Sequence, residues 1–254
     1  MSDDEATRFG AEHAHYTEDL AYWRSAGARL GSPVLDLGAA AGRVAIPLAR
    51  DGLEVWAVDR SPDMLAQIRV ELAGEAPAVD ARVHTVVGEL QSFSLDPSFR
   101  LIIVAMNTLQ VLTEPADRAA CLRRVRAHLA EGGEFIFDVA LPDVDEIRDT
   151  MGVERPSGRH REPDGSVLVH SAWYDNWDPA SQTLEFTIRI TRRVDGRDVG
   201  ETLRHHRVHL FTPAELADLL QAAGLEQIAV SGDFEGSPLD GESERQVHRC
   251  RAAA

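Results

Sequence analysis

Residues 34–43 read VLDLGAAAGR and residues 54–65 read EVWAVDRSPDML. The run over 33–37 is apolar around a single acid, the pattern of a short strand buried on both faces. Five small residues, Gly38-Ala39-Ala40-Ala41-Gly42, then make a tight turn, and 43–50 has helical spacing. A second strand over 54–58 ends at Asp59, where Ser61 ahead of Pro62 offers a helix cap and a first helical residue. Strand, turn, helix and strand in this order predict a parallel sheet with crossover helices.

The same alternation extends outward. Upstream, the first ~30 residues carry Tyr16, Leu20, Tyr22 and Trp23 at helical spacing, which predicts a leading helix. Downstream, 84–87 and 101–105 read as buried strands, 115–129 as a helix stopped by Glu131-Gly132-Gly133, and 135–139 as a fifth strand. The prediction is a doubly wound α/β sheet that binds ligands beyond the carboxyl ends of its strands. After residue 150 the spacing becomes that of strands, with turns at Asp164-Gly165, Asp178-Pro179 and Asp195-Gly196. Three antiparallel strands are expected there, over 167–177, 183–194 and 202–211. Thr212-Pro213-Ala214-Glu215 opens a helix in capping-box fashion, Gly224 ends it, and strands over 227–231 and 246–250 follow. The expected organisation is a ligand-binding region over 1–158, an antiparallel insertion over 159–211 acting as a lid, and 212–254 completing the sheet. There is no internal repeat and no low-complexity segment.

Composition removes several functions. With 254 residues, 44% hydrophobic and 27% charged, the chain has the make-up of a soluble globular protein with one main domain. No apolar run approaches the ~20 residues that span a bilayer. The opening MSDDEATRFG is acidic where an export signal would be basic and apolar, so a cytoplasmic location with no membrane partner is expected. A net charge of -16 repels a phosphate backbone, and Arg123-Arg124-Val125-Arg126 and Arg192-Arg193 are too short to override it. Nucleic acid is therefore not an expected partner, and a homodimer is compatible with the sequence. Cys121 and Cys250 lie far apart in no metal-ligand spacing, which suits a reducing compartment. The chain contains no lysine. That excludes Schiff-base and pyridoxal chemistry, P-loop phosphate binding, and the tyrosine-lysine pair of short-chain dehydrogenases.

The chemistry then rests on Asp36 and Asp59 near the ends of consecutive strands, with the small-residue turn between them. Small residues let backbone approach a ligand, and a carboxylate ending the second strand can accept from both hydroxyls of a ribose. This describes an adenosine site. The turn alone would also suit a phosphate, Asp59 would equally suit the ribose of NAD, and either acid could be a cap or turn residue.

These residues resemble the motifs of the class I S-adenosylmethionine-dependent methyltransferases, of the small-molecule, glycine N-methyltransferase-like type. Residues 34–43 are similar to the first motif and 58–65 to the second. Gly88-Glu89-Leu90-Gln91-Ser92-Phe93 resembles the third, Met106-Asn107-Thr108-Leu109-Gln110 the segment after the fourth strand, and 129–135 the approach to the fifth. The resemblance implies a Rossmann-like fold, S-adenosylmethionine as cofactor and S-adenosylhomocysteine as product. By this likeness Gly38, Ala40 and Gly42 line the methionine and ribose portion, Asp59 holds the ribose, Met64 packs on adenine and Glu89 takes its amine. Tyr16, Asp36, Arg43, Arg60, Leu90 and Met106 complete the implied cofactor set. Two positions depart from the pattern: Ala40 replaces the middle glycine, and Glu89 the commoner aspartate. An alanine methyl would crowd a turn that needs positive φ and would weaken cofactor binding.

Methyl transfer is an in-line displacement at a sulfonium carbon, and holding the reactants in line can supply on the order of 7 kcal/mol or more without an acid or base. A neutral amine needs only that; a phenol or alcohol needs a base. Histidines 170, 205, 206 and 209 are the available bases, of which His206 and His209 are the weak catalytic candidates. The acceptor is expected to be a small molecule, with Asn107, Gln110, Trp173, Tyr174, Trp177 and Arg207 as its contacts. Arg207 could clamp a carboxylate or simply pair with neighbouring acids, and a strand buries every second member of the aromatic run. His13-Ala14-His15 lacks further ligands, so no metal is expected. Two other readings compete: a non-catalytic adenosine-binding accessory protein, motivated by Ala40, and an NAD-dependent oxidoreductase, disfavoured by the glycine spacing and the missing lysine. Arginine without lysine suggests a GC-rich genome, compatible with natural-product biosynthesis.

Overall fold

Strand β1 (Val34–Leu37) is buried along its whole length, as a central parallel strand must be. It is preceded by α1 (Leu20–Leu30) and followed by α2 (Ala45–Arg50), β2 (Val55–Asp59) and α3 (Pro62–Leu72). Next come the short α4 (Pro77–Asp80), β3 (Val83–Val87), β4 (Phe99–Val104), a 3-10 turn (Thr108–Val111), α5 (Pro115–His128) and β5 (Leu129–Ala140). The chain continues through α6 (Val144–Asp149) and strands β6 (Arg155–Arg161), β7 (Val167–Asp178), β8 (Thr183–Val194) and β9 (Arg197–His209). Helix α7 (Pro213–Ala222), β10 (Leu225–Ser231) and β11 (Arg245–Ala252) complete it. This computed structural model describes residues 16–141, 143–162 and 164–253, so His13-Ala14-His15 lies outside the described residues.

The chain forms two compact units. The first comprises Met1–Leu109, Glu114–Ala140 and Thr212–Ala254, and the second Gln110–Thr113 and Leu141–Phe211. In the first, seven strands run β10-β11-β5-β4-β1-β2-β3, parallel from β5 to β3, with β11 antiparallel to both of its neighbours. This is the expected doubly wound α/β sheet. Chain order reverses between β1 and β4, which opens a crevice at their carboxyl ends. The caps read from sequence form: Ser61 Oγ accepts from Met64 N–H at 3.3 Å, and Thr212 Oγ1 accepts from Glu215 N–H at 3.2 Å. Trp23, Leu48, Ile68 and Leu101 are fully buried between sheet and helices, each contributing about 1.5–3 kcal/mol of transfer free energy. No described helix is long and apolar enough to cross a membrane.

The second unit holds a sheet ordered β6-β7-β8-β9, antiparallel throughout. The expected three strands are thus corrected to four. Strand β6 reads Arg-Pro-Ser-Gly-Arg-His-Arg, with no apolar alternation, because it is an edge strand held by backbone pairing to β7 with an irregularity between Pro156 and Gly158. It runs through residue 159, where the sequence put the start of the insertion. Helices α4 and α6 are each too short to show a period. Strand β5 also begins earlier than expected: Gly132 and Gly133 lie inside it, where a Cβ on Gly133 would come within 2.7 Å of the Phe99 carbonyl.

Candidate active site

The turn after β1 is drawn tightly against β2. Gly38 N–H and Ala39 N–H both donate to the Val58 carbonyl, at 2.8 and 3.0 Å, and Gly42 N–H donates to the Ala39 carbonyl at 2.9 Å. Ala40 N–H donates to Asp59 Oδ2 at 2.9 Å, and Ser61 N–H donates to Asp59 Oδ1 at 2.8 Å. The Asp59 carboxylate is therefore aimed by two backbone amides, with its remaining lone pairs at the carboxyl edge of the sheet. Gly38 has φ 77°, and a Cβ there would fall 2.4 Å from Thr108 Cγ2, so only glycine fits.

Ala40 has φ 46°. The turn holds it left-handed, the positive-φ case in which the sequence expects its methyl to crowd the turn. That conformation costs an L-residue roughly 1–2 kcal/mol, more than the roughly 0.5–1 kcal/mol of chain entropy a glycine would add. Ala40→Gly is accordingly expected to raise the melting temperature by about 1–3 °C and to preserve or tighten cofactor binding. Scanning calorimetry with and without cofactor checks this; normal folding with a large loss of binding would show that the methyl itself touches the ligand.

Asp36 sits beneath the turn, 2% exposed, with Oδ2 lacking a hydrogen-bond partner among the described residues. Burial pushes its pKa up to about 7; Arg43 opposes this, and the nearby Asp59 adds to it. Arg43 binds both oxygens of the buried Asp19 at 2.5 and 2.8 Å, donates to the Tyr16 carbonyl at 3.1 Å, and lies over the Tyr16 ring. Asp19 also accepts from Trp23 Nε1 at 2.7 Å. Arg43 and Tyr16 thus meet, tying the segment before α1 to the turn. Met64 is buried on α3, Arg60 is exposed at its approach, and Glu89 and Leu90 follow β3 as exposed and half-buried residues. Gly88 N–H donates to the Asp59 carbonyl at 3.0 Å, which brings the third motif beside the second.

At the carboxyl end of β4, Met106 and Asn107 have φ 58° and 61°, two consecutive left-handed residues that are not glycine. Such backbone costs about 1–3 kcal/mol per residue and persists only where its surroundings enforce it. At this bend lies Asp138 of β5, fully buried, whose Oδ1 accepts from Met106 N–H at 2.7 Å while Asn107 N–H also bonds the carboxylate. Burial raises the Asp138 pKa to about 6, partly offset by the Met106 amide and by Arg245, whose Nη1 lies 3.7 Å from Oδ2. Sequence reading passed over Asp138, although an acid inside Phe-Ile-Phe-Asp-Val is itself a signal, since a buried carboxylate requires partners. Asp19 was missed because the residues it joins lie 24 positions or fewer away across a turn, not in one motif. Among the described residues, no three His, Cys, Asp or Glu side chains could hold a metal ion.

The candidates of the second unit divide between the two faces of its sheet. Tyr174 and Trp177 pack with Leu184, Phe186, Ile147 and Leu210, and His206 stacks on Phe186 at 4.9 Å on that same apolar face. The other face carries Trp173, Thr187, His205, Glu185 and Arg207 in register. There Trp173 Nε1 and Thr187 Oγ1 donate to Asp175 at 2.8 and 2.7 Å, and His205 Nδ1 lies 2.8 Å from Thr187 Oγ1. Arg207 Nε lies 3.7 Å from Glu185 Oε1, the pairing with a neighbouring acid weighed from the sequence. His209 is buried with Nδ1 3.0 Å from the Ser181 carbonyl, and the Gln110 amide donates to the His209 carbonyl at 3.1 Å. Gln110 therefore belongs with the second unit and not with its sequence neighbour Asn107.

Known proteins resemble this chain in sequence and fold. Residues 34–133 match a family model described as a methyltransferase domain. The chain is 28% identical over 219 residues to the cypemycin N-terminal methyltransferase of a Streptomyces species, covering 85% of this chain and 82% of that protein. The CcbJ methyltransferase of Streptomyces caelestis superposes with a TM-score of 0.76 at 31% identity, over 93% of this chain and 90% of that one. The glycopeptide N-methyltransferase MtfA, solved with S-adenosyl-L-homocysteine, gives a TM-score of 0.63 at 25% identity, over 92% and 87% of the two chains. With the small-residue turn, the anchored Asp59 and the β1–β4 crevice in place, the chain belongs to the class I S-adenosylmethionine-dependent methyltransferases.

Proposed function

We propose that this enzyme transfers the methyl group of S-adenosylmethionine to an amine nitrogen of a small natural product. The observation that carries the cofactor half is the Asp59 carboxylate held by the Ala40 and Ser61 amides at the end of β2. Asp36, Gly38, Gly42, Met64, Glu89, Leu90 and Met106 would complete the cofactor's surroundings. For the acceptor, one relative at 28% identity is named a cypemycin N-terminal methyltransferase and one at 25% a glycopeptide N-methyltransferase.

In the transfer, the amine lone pair attacks the sulfonium methyl carbon, the carbon–sulfur bond breaks, and sulfur leaves as the neutral thioether of S-adenosylhomocysteine. The ammonium product then loses its proton to solvent, so no dedicated base is required. We assign acceptor selectivity to the antiparallel unit, which the chain enters from the carboxyl end of β5, and within it to Trp173 and Arg207 on the polar face.

The test supplies the purified protein with S-adenosylmethionine and a panel of amino sugars, peptides with free N-termini, and phenols. Expected are release of S-adenosylhomocysteine and a singly methylated amine. Trp173→Ala and Arg207→Ala should raise the acceptor KM with cofactor Kd unchanged, whereas Trp177→Ala should chiefly lower the melting temperature. Turnover of phenols alone would overturn the nitrogen assignment.

A further inference from the structure

Of the acids near the carboxyl edge, Asp59 and Asp138 each accept from backbone that follows another strand, and Asp138 does so from the core. Asp138 is fully buried in β5, yet its Oδ1 accepts from Met106 N–H at 2.7 Å, across the sheet at the end of β4. Strand pairing brings it there: β4 and β5 run parallel with Val104 opposite Phe137, so Asp138 reaches the first residues beyond β4. Those residues, Met106 and Asn107, are both left-handed, a conformation that costs Met106 and that Asn107 tolerates better than most non-glycine residues. The result is a bend at the topological switch point, where ligands of such sheets bind. Asn107 Oδ1 is buried at this bend and has no hydrogen-bond partner among the described residues. A buried acceptor left open is costly, and a ligand donor would satisfy it.

We propose that Asp138 is a positioning residue for methyl transfer: from the core of β5 it holds Met106 and Asn107 in their left-handed bend and so keeps Asn107 Oδ1 directed at an N–H of the acceptor. The proposal rests on the functional reading above. Asn107 would accept a hydrogen bond from the nucleophilic nitrogen, turning its lone pair toward the methyl carbon. Arg245, 3.7 Å from Asp138 Oδ2, keeps the carboxylate from rotating away from the amides. A role confined to satisfying buried amides would affect folding stability alone; a positioning role also affects turnover through Asn107.

The experiment compares Asp138→Asn, Asp138→Ala, Asn107→Ala and the double alanine variant. Asp138→Ala is expected to lower kcat by at least about tenfold while cofactor Kd stays within about threefold. Asp138→Asn keeps an oxygen for the amides and should recover most of kcat. The double variant should be no slower than Asn107→Ala alone, because both changes remove the same interaction. Amide resonances of Met106 and Asn107, followed by NMR with S-adenosylhomocysteine bound, report the bend independently of turnover: retained in Asp138→Asn and shifted in Asp138→Ala. Losses that multiply in the double variant, or an unchanged kcat in Asp138→Ala, would overturn the proposal. A wild type that turns over no acceptor would instead defeat the functional reading, and the resonances would still decide whether Asp138 holds the bend.

Discussion

Asp59→Ala is expected to weaken S-adenosylmethionine binding about a hundredfold or more. Two hydrogen bonds from ribose hydroxyls to a charged acceptor contribute roughly 1.5–3 kcal/mol each, and every 1.4 kcal/mol is about tenfold in affinity. The carboxylate needs no rearrangement to accept them, because the Ala40 and Ser61 amides already orient it. The substitution also strips those amides of their acceptor, so the turn itself loosens and the melting temperature should fall. Asp59→Asn separates the two effects: it retains one oxygen for the backbone but loses the charge, and should bind cofactor with intermediate affinity. Titration calorimetry decides the matter; an unchanged dissociation constant in the alanine variant would remove Asp59 from the site.

The second large effect concerns Asp36. Its pKa in the folded protein is about 7, against about 3.9 for an unfolded aspartate. The folded state therefore holds this proton more tightly. Its stabilising contribution is complete below about pH 4 and is lost as pH rises through about 7. Above that, the ionised and incompletely paired carboxylate burdens the fold by on the order of 4 kcal/mol, three pKa steps of 1.36 kcal/mol. Asp36→Asn removes the charge, although its amide N–H groups then need partners, which leaves a net gain of about 1–3 kcal/mol at pH 8. The variant without cofactor should melt several degrees above wild type at pH 8, and the difference should shrink toward zero by pH 5. The cationic cofactor reverses the preference, since a positive charge nearby favours the ionised acid. Wild-type affinity for S-adenosylmethionine should fall as pH drops below 7, while Asp36→Asn binds more weakly at pH 8 with little pH dependence. A melting difference that does not vary between pH 5 and 8 would contradict this account.

The two predictions share an origin in strand geometry. Asp36 faces inward from a strand buried on both sides, whereas Asp59 is the last residue of its strand and half-buried. Both are acids at equivalent places in the sequence pattern, yet one is a hydrogen-bond acceptor at the crevice and the other a buried titrating group beneath the turn.

Local signals in the sequence determined much of this protein. Apolar runs of strand length, the Gly and Ala turn, and caps such as Ser61-Pro62 and Thr212-Pro213 act within a few residues of themselves, so they name their elements directly. The parallel sheet, the crevice side and the Asp59 turn were legible for that reason, and the absence of lysine excluded whole reaction classes. Edge strand β6 and helices α4 and α6 were not legible, because a polar edge is held by its neighbour's backbone and a single helical turn shows no period. Tertiary structure alone decided which face of the small sheet each residue takes: the irregularity between Tyr174 and Asn176 shifts the alternation, placing Trp173 on the polar face and Trp177 on the apolar one. It alone showed that Ala40, Met106 and Asn107 are left-handed, since the carboxylates that bond the Ala40 and Met106 amides, Asp59 and Asp138, come from other strands. Hydrogen bonds that join residues 19 and 32 positions apart leave no trace in a local pattern, and in this enzyme they shape the site.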